Sequence, residues 1–259
     1  MQQPKSVLIT GASRGIGKAI AYEFAKHGYD LYLTCKNNIG MLEQIKSELE
    51  NIQILTKNSS LDIKTANNHT GYVNCRVFQC DMGNSKDVEH LFHSITELDV
   101  IVNNAGISHV GLLTDMSSEE WHNIMATNVD SLFYTSKYGV PKMLQKHSGK
   151  IINISSVWGN VGASMEVAYS ASKGAVNSFT KALAKELAPS NIQVNAIACG
   201  LIDTEMNACF SEEDMQYIIE EIPSDRMGQP EEVAHLCYML AESPEYLTGQ
   251  IITMDGGWT

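Results

Sequence analysis

The sequence predicts one α/β domain in which a doubly wound parallel sheet of about seven strands carries helices on both faces. Short apolar runs typical of buried strands alternate with helical segments along the 259 residues. Consecutive strands are not joined by tandem hairpins, and this alternation favours parallel strands connected through helices. No repeat or linker interrupts the pattern, so we expect residues 1–259 to form a single domain.

The apolar runs place the strands in chain order. They are predicted at Val7–Ile9, Leu31–Thr34, Arg76–Cys80, Asp99–Val102, Lys150–Ile154, Ile192–Ala198 and Ile251–Met254. Helices are predicted over Lys18–His27, Lys86–Glu97, Ser118–His147 and Val167–Leu187, and a further helix begins at Pro230. Residues 51–72 are polar and have no clear period, which predicts a surface insertion.

Composition and charge exclude several classes of function. The chain carries 30 acidic and 18 basic side chains, a formal net charge of -12, which disfavours nucleic acid as a partner because phosphate contact needs clustered lysine and arginine. No apolar run approaches the length of a membrane span, and no targeting segment precedes the first strand. The six cysteines show no Cys-x-x-Cys spacing, which predicts reduced thiols, a cytoplasmic location and no metal site.

The turn between the first strand and the first helix has a spacing typical of phosphate binding. Gly11, Gly15 and Gly17 form a Gly-x-x-x-Gly-x-Gly pattern. Glycines let the backbone approach a pyrophosphate, and the N-terminus of the following helix supplies N–H groups and a partial positive charge. A tight turn without a ligand is the alternative, but the flanking strand and helix favour dinucleotide binding.

The end of the second strand bears on which dinucleotide is bound. An acidic residue there would hold the ribose 2'-hydroxyl of NAD, whereas a basic residue accommodates the additional phosphate of NADP. This chain has Cys35 and Lys36 at that point and no acid, and Arg14 in the glycine loop is a second cation. The pattern favours NADP, and a merely solvated Lys36 is the alternative.

Three further positions lie at the ends or inside of predicted elements. Asp81 follows the third strand, where it could accept the adenine amino group or cap the next helix. The stretch Asn103–Gly106 follows the fourth strand, and small residues there suit close approach of a ligand. Asn128 falls inside a predicted helix, where asparagine is unfavourable, so it has a chemical role, a role in tying backbone together, or both.

The helix that carries Tyr169 and Lys173 is the candidate for proton transfer. Residues four apart share one helix face, and a nearby ammonium is expected to lower the pKa of a phenol from about 10. Four tyrosines of the chain are followed by lysine four residues later, so the pair alone is weak evidence. Tyr169 is distinguished by Ser156 thirteen residues before it, a hydroxyl able to polarise a carbonyl. The other three tyrosines have Ile9, Ala19 and Met125 at that offset.

Taken together, these residues resemble the short-chain dehydrogenase/reductase family, whose fold is of the Rossmann type. The resemblance covers nearly the whole chain outside residues 51–72 and is greatest to the 3-oxoacyl-[acyl-carrier-protein] reductases. The supporting stretches are Ile197–Met206, Arg226–Ala234, and Leu247–Gln250 before Asp255–Gly257.

The resemblance implies roles for the motif residues in reduction of a ketone by NADPH. The catalytic set would be Asn128, Ser156, Tyr169 and Lys173, with Tyr169 as proton donor, Ser156 bonded to the substrate oxygen, and Asn128 holding a water that relays protons from Lys173. The cofactor would be bound by Gly11, Ser13, Arg14, Gly15, Ile16, Gly17, Lys36, Asp81, Met82, Asn104, Ala105, Gly106, Tyr169, Lys173, Gly200, Ile202 and Thr204. Members of the family are usually homotetramers joined through two long helices.

The substrate is open at this point. The resemblance implies a 3-oxoacyl thioester of fatty acid synthesis, free or bound to a carrier protein, and a lysine group at Lys142, Lys146 and Lys150 is a candidate surface for an acidic carrier. Three departures from the family pattern are Cys199 in place of the usual proline before Gly200, the insertion at 51–72, and the absence of the arginines that carrier-protein reductases often present near the ends of two helices. The substrate loop at about 205–225 varies within the family and does not decide the substrate. A steroid, sugar or polyol dehydrogenase is the alternative enzyme. A cofactor-binding regulator is the alternative of another class.

Overall fold

The computed structural model describes residues 4–52 and 73–259, so the predicted insertion at 51–72 lies almost entirely outside the described residues. The described residues form a seven-stranded sheet in the order β3-β2-β1-β4-β5-β6-β7, with every neighbouring pair parallel. The strands are β1 Ser6–Ile9, β2 Asp30–Cys35, β3 Cys75–Gln79, β4 Val100–Asn103, β5 Gly149–Ser156, β6 Ile192–Cys199 and β7 Ile251–Met254. The predicted fold class is confirmed.

Helices cover both faces of this sheet. They are α1 Gly15–Lys26, α2 Ile39–Leu49, α3 Ser85–His93, α4 Ser118–Met125, α5 Ser131–Leu144, α6 Trp158–Val161, α7 Val167–Leu187, α8 Glu212–Glu220 and α9 Pro230–Ala241. The prediction for α7 is confirmed, whereas α3 ends at His93 and does not continue to Glu97. Within the described parts of the chain, no helix is both long enough and apolar enough to span a bilayer.

Each face of the sheet has its own hydrophobic core. Side chains alternate between the two faces along a strand, so Val7 and Ile9 of β1 enter one core while Leu8 enters the other. Phe24 of α1 lies in the first core and Leu187 of α7 in the second. All four β1 residues are buried, as expected of a central parallel strand covered on both sides.

The long helical region predicted over Ser118–His147 is present from Ser118 to Leu144, but a five-residue π-helical segment at Ala126–Asp130 separates α4 from α5 within it. The segment contains Asn128, whose side chain is hydrogen-bonded to the backbone of Ile107. Single π turns inside helices are rare and occur frequently at functional sites. The interruption is therefore a sign of a functional site in this region.

The strand order creates a crevice at the carboxyl edge of the sheet. The chain leaves β1 towards β2 on one side and leaves β4 towards β5 on the other, while β1 and β4 are neighbours. In open α/β sheets, ligands bind outside the carboxyl ends of the strands at this reversal of strand order. The glycine loop follows β1 and the Asn104–Gly106 stretch follows β4, so both border the crevice.

Candidate active site

The glycine loop has a backbone shape that needs its glycines. Gly11 and Gly15 have φ angles of +65° and +52°, in the left-handed region that glycine adopts without steric cost. A β-carbon on Gly17 would lie 2.3 Å from the carbonyl oxygen of Gly11. The loop and the first turn of α1 are therefore packed too closely for larger residues, as expected of a turn that lets the backbone approach a phosphate.

Hydrogen bonds tie this loop to the end of β4. The Asn104 amide Nδ2 donates to the carbonyl oxygens of Thr10 and Gly11, at 3.0 Å each. The Thr10 hydroxyl accepts from the backbone N–H groups of Asn104 and Ala105, at 3.0 and 2.9 Å. These bonds hold the two sides of the crevice in register, so Asn104 has a structural role in shaping the predicted cofactor site.

An open cavity runs from this crevice along the carboxyl ends of the central strands, with about 950 Å³ of empty space that includes its mouth to solvent. It brings together many of the predicted site residues, which are Ile16, Asn104, Gly106, Ser156, Tyr169, Lys173, Gly200, Ile202 and Thr204. Its remaining wall is mainly apolar and includes Trp158, Met206, Phe210 and Trp258. A largely apolar cavity with a few convergent polar groups has the character of a small-molecule site.

Ser156 and Tyr169 meet in this cavity through a side-chain hydrogen bond. Ser156 is the last residue of β5 and is buried, and its hydroxyl also accepts the backbone N–H of Trp158 at 3.2 Å. Tyr169 lies in the first turn of α7. The end of β5 and the start of α7 thus place a hydroxyl and a phenol where both can contact one carbonyl oxygen.

Lys173 lies one helical turn after Tyr169 and is almost fully buried. Its Nζ donates to the carbonyl oxygen of Ile154 at 2.8 Å and lies 5.6 Å from the centre of the Tyr169 ring. Burial lowers the pKa of Lys173 to about 8, because the charged ammonium is poorly solvated there. The ammonium is therefore held beside the phenol by a strand carbonyl.

The expected lowering of the Tyr169 pKa is not found. Burial of the phenol raises the pKa of Tyr169, and the hydrogen bond with Ser156 only partly opposes this rise. Cys199 and Glu166 raise it further, because both are potential negative charges. The sequence identifies the neighbouring ammonium of Lys173, but it does not show how far burial removes water from the Tyr169 phenol.

Asn128 is buried and bonds to two elements at once. Its side chain accepts the Ile107 N–H at 2.9 Å and donates to the Ile107 carbonyl oxygen at 2.9 Å and to the Ser172 hydroxyl at 3.0 Å. A β-carbon on Gly106 would lie 3.4 Å from Asn128 Oδ1 and 3.5 Å from Lys173 Nζ. Asn128 therefore ties backbone together, as one of its two predicted roles required, and also lies close to Lys173.

At the other end of the crevice, Lys36 and Asp81 form an ion pair with an Nζ–Oδ2 distance of 2.8 Å. The helix-capping alternative for Asp81 is not what the structure shows, since Asn84 is the N-cap of α3. Asp81 instead accepts the backbone N–H of Gly83 at 3.0 Å, next to the buried Met82. The two residues predicted to contact the adenosine end are thus adjacent, and each neutralises the other.

The lysines considered for a carrier-protein surface are partly engaged within the protein. Lys146 is paired with Asp99, and Lys150 donates to the carbonyl oxygen of Ser243 at 2.8 Å. These contacts leave less free positive charge at this surface than the sequence suggested.

Several cavity residues were not predicted from the sequence. Glu166 lies three residues before Tyr169, and this i, i+3 spacing could have identified it. Trp258 reaches the cavity from the far end of the chain and packs edge-on against Trp158, with ring centres 4.8 Å apart. No local pattern links these two tryptophans.

A parallel sheet with a glycine turn at its crevice and a serine, tyrosine and lysine beyond it defines a Rossmann-type oxidoreductase. The sequence profile described as short chain dehydrogenase matches residues 5–215, and the chain belongs to that family. Nicotinamide dinucleotides are the cofactors of the family.

Similar proteins cover the chain almost completely. An uncharacterised oxidoreductase of Bacillus subtilis is 38% identical over 256 residues, covering 98% of each chain. A 3-oxoacyl-[acyl-carrier-protein] reductase of Aquifex aeolicus is 36% identical, covering 98% of this chain and 97% of its own. A crystal structure provisionally assigned as a gluconate dehydrogenase of Agrobacterium tumefaciens is 26% identical, with a TM-score of 0.86 over 98% of this chain and 95% of that one.

Proposed function

We propose that this protein uses NADPH to reduce a ketone to a secondary alcohol, and that the ketone is a 3-oxoacyl thioester of fatty acid synthesis. The observation that carries the reaction type is the convergence of Ser156, Tyr169 and Lys173 on one apolar cavity that continues to the glycine loop. The choice of substrate is supported by near full-length similarity to proteins described as 3-oxoacyl-[acyl-carrier-protein] reductases, at 36% and 34% identity.

The crevice fits a dinucleotide. The close packing around Gly17 and the left-handed Gly11 and Gly15 give a tight backbone turn at the N-terminus of α1, where a pyrophosphate can approach the backbone N–H groups. The residues that would hold the cofactor are Gly11, Ser13, Arg14, Gly15, Ile16, Gly17, Lys36, Asp81, Met82, Asn104, Ala105, Gly106, Tyr169, Lys173, Gly200, Ile202 and Thr204. When bound, NADPH supplies the hydride for the ketone carbon.

The protein's own part is to orient the ketone and to supply a proton. Ser156 donates a hydrogen bond to the ketone oxygen, and Tyr169 transfers its phenolic proton to the same oxygen. Lys173, held by the Ile154 carbonyl, stabilises the phenolate that remains. Asn128 keeps the loop before Ile107 in place beside Lys173 and supports return of the proton from solvent.

The direct test is NADPH oxidation with acetoacetyl thioesters of coenzyme A and of acyl carrier protein. Turnover of both, with a lower KM for the carrier form, is expected. Failure on both thioesters would contradict the proposed substrate. Equal KM values for the two thioesters would reject the carrier protein as a recognised partner. The comparison is needed because Lys146 and Lys150 are engaged within the protein.

The preference for NADP is supported by the absence of an acid after β2 and by the exposed Arg14 at the N-cap of α1. Lys36 is paired with Asp81, so the carboxylate competes with a ribose phosphate for this lysine. We expect the wild type to bind NADPH more tightly than NADH and Lys36→Asp to reverse that order, with Lys181→Asp on α7 as a control that leaves it unchanged. A wild type that prefers NADH would contradict the proposal.

A further inference from the structure

The substrate cavity contains very little charge. Among the described residues that line it, Lys173 and Glu166 are the charged side chains. Lys173 is bonded to the Ile154 carbonyl and is assigned to the proton transfer. Glu166 is therefore the one acidic group of the described lining, and no arginine is present there to bind a substrate anion.

Glu166 lies in the cavity together with Tyr169, the proposed proton donor. It is the residue immediately before α7 and precedes Tyr169 by three residues, and both side chains line the cavity. The two groups interact electrostatically, because the Glu166 carboxylate is one cause of the raised pKa of Tyr169. A ketone bonded to Tyr169 thus shares its cavity with the Glu166 carboxylate.

Helix capping does not account for Glu166. It occupies the N-cap position of α7, yet its side chain makes no capping hydrogen bond. The carboxylate instead accepts a hydrogen bond from the Trp158 side chain, whose ring packs against Trp258. A carboxylate can accept several hydrogen bonds, so one indole donor leaves acceptor capacity directed at the cavity.

Burial raises the pKa of Glu166, since the surrounding wall is mainly apolar and poorly hydrated. A carboxylate held in such a place at an energetic cost is a feature common to functional sites. Above its pKa it carries a negative charge in a half-buried place, so a second negative charge nearby is disfavoured.

We propose that Glu166 determines the charge selectivity of the substrate cavity by excluding ketones that carry a carboxylate close to the carbonyl. The inference rests on the proposed ketone reduction and narrows its substrate class to neutral ketones such as 3-oxo esters and thioesters. It separates this cavity from one built for sugar acids or keto acids, which would need a cation where this chain has an acid.

The test compares kcat/KM for ethyl acetoacetate and for acetoacetate, which differ in the charge of the group two bonds from the ketone. The wild type is expected to favour the ester by about 10-fold or more, because the anion meets a half-buried like charge. Glu166→Gln keeps the size and the acceptor oxygen but removes the charge, so the ratio should fall about 10-fold. Equal ratios in wild type and Glu166→Gln would overturn the proposal.

Two controls separate charge from shape. Glu213→Gln removes an exposed carboxylate from α8 and should leave the ratio unchanged. Trp158→Phe removes the indole donor but keeps the Glu166 charge, so its ratio should stay near that of the wild type. A ratio that falls in Trp158→Phe as far as in Glu166→Gln would assign the selectivity to cavity shape and would also overturn the proposal.

A readout without turnover keeps this inference distinct from the proposed function. Absence of ketone reduction would contradict the function alone. Ligand-observed NMR with ethyl 3-hydroxybutyrate and 3-hydroxybutyrate would still measure whether the cavity prefers the neutral ligand, and Glu166→Ala serves if Glu166→Gln does not fold. Loss of the preference in the variant supports the inference, whereas an unchanged preference refutes it.

Discussion

Tyr169 and Lys173 act against a common constraint, which is the cost of placing charge in a poorly hydrated cavity. Burial raises the pKa of the phenol and lowers that of the ammonium, so both groups favour their neutral forms more than they would in water. The Ser156 hydrogen bond and the Ile154 carbonyl partly compensate. The raised pKa keeps the phenol protonated, as its proposed role of proton donor requires.

Removal of the phenolic hydroxyl is expected to stop the reaction. Tyr169→Phe should reduce turnover by about 100-fold or more, because general acid catalysis typically contributes a factor of that order. NADPH affinity should change little, as measured by fluorescence titration. Tyr138→Phe, which changes another tyrosine followed by lysine four residues later, should keep its activity. Undiminished turnover in Tyr169→Phe would refute the assignment of the proton donor.

The pH dependence should follow Lys173. Its pKa is lowered to about 8, so the ammonium loses its proton as pH rises through that value. If the cation supports proton transfer, kcat for ketone reduction should decline above about pH 8. In Lys173→Arg the residual activity should lack this decline, because a guanidinium stays charged to about pH 12. A wild-type kcat that is constant between pH 7 and 10 would contradict the role of the cation.

Residues with a fixed sequence spacing could be found without the structure, and others could not. The offset between Ser156 and Tyr169 singled out one of four tyrosine–lysine pairs, and the structure joins these two side chains by a hydrogen bond. The direction of the Tyr169 pKa depends on desolvation, which a sequence does not contain. Trp258 enters the cavity through a contact between distant parts of the chain, for which no local pattern exists.

Among the elements, the π segment is bonded to two other parts of the chain through one side chain. Asn128 satisfies both backbone groups of Ile107 and also donates to Ser172 on α7. Three parts of the chain are joined at this residue, and all of them border Lys173 or Gly106. The element thus links the packing of α4 and α5 to the geometry of the cavity.

Loss of this side chain should destabilise the protein. In Asn128→Ala the Ile107 N–H and carbonyl lose their partner, and each unsatisfied buried group costs about 1–3 kcal/mol. We expect the free energy of unfolding to fall by about 2–5 kcal/mol in urea denaturation. Asn123→Ala, on the exposed side of α4, should change it by less than about 0.5 kcal/mol. An effect of Asn128→Ala as small as this would contradict the proposed tie.

Prediction at this scale succeeded where a periodic pattern was long and failed where a tertiary contact decides the shape. The 21 residues of α7 were predicted with both ends correct. The π interruption was missed, because the segment is stabilised by a loop distant in sequence. Its only local sign was Asn128, which is unfavourable in the middle of a helix. Helix α8 was treated as part of a variable loop, and its nine residues are largely exposed.

For the whole molecule, the sheet follows from alternation of strands and helices, but the order of its strands does not. Seven parallel strands were expected, and the positions of β1 and β4 at the centre of the crevice emerge only from the structure. The side of the sheet on which each successive strand is added depends on packing over the entire sheet. The site could still be located in advance, because ligand sites of this fold class lie at the carboxyl ends of strands.

Assembly is a prediction at this scale. Phe133 of α5 and Val167 of α7 are exposed at 51% and 43%, and apolar exposure on these long helices fits the tetramer expected of the family. Sedimentation velocity should give a tetramer for the wild type and smaller species for Phe133→Asp, because a charge on a packed apolar contact is disfavoured. Tyr217→Asp, on α8, should leave the tetramer intact. A monomeric wild type would refute the expectation.

The π segment also limits how this chain can change in length. A π turn holds one residue more than the α turns on either side, so deleting one residue between Ala126 and Asp130 would let α4 run into α5 as one regular helix while both keep their present buried faces. A deletion elsewhere in α4 or α5 would instead rotate the rest of the helix by about 100°. A scan of single-residue deletions should therefore keep the fold at this position, while the loss of the Asn128 contacts with Ile107 and Ser172 removes the geometry of the site.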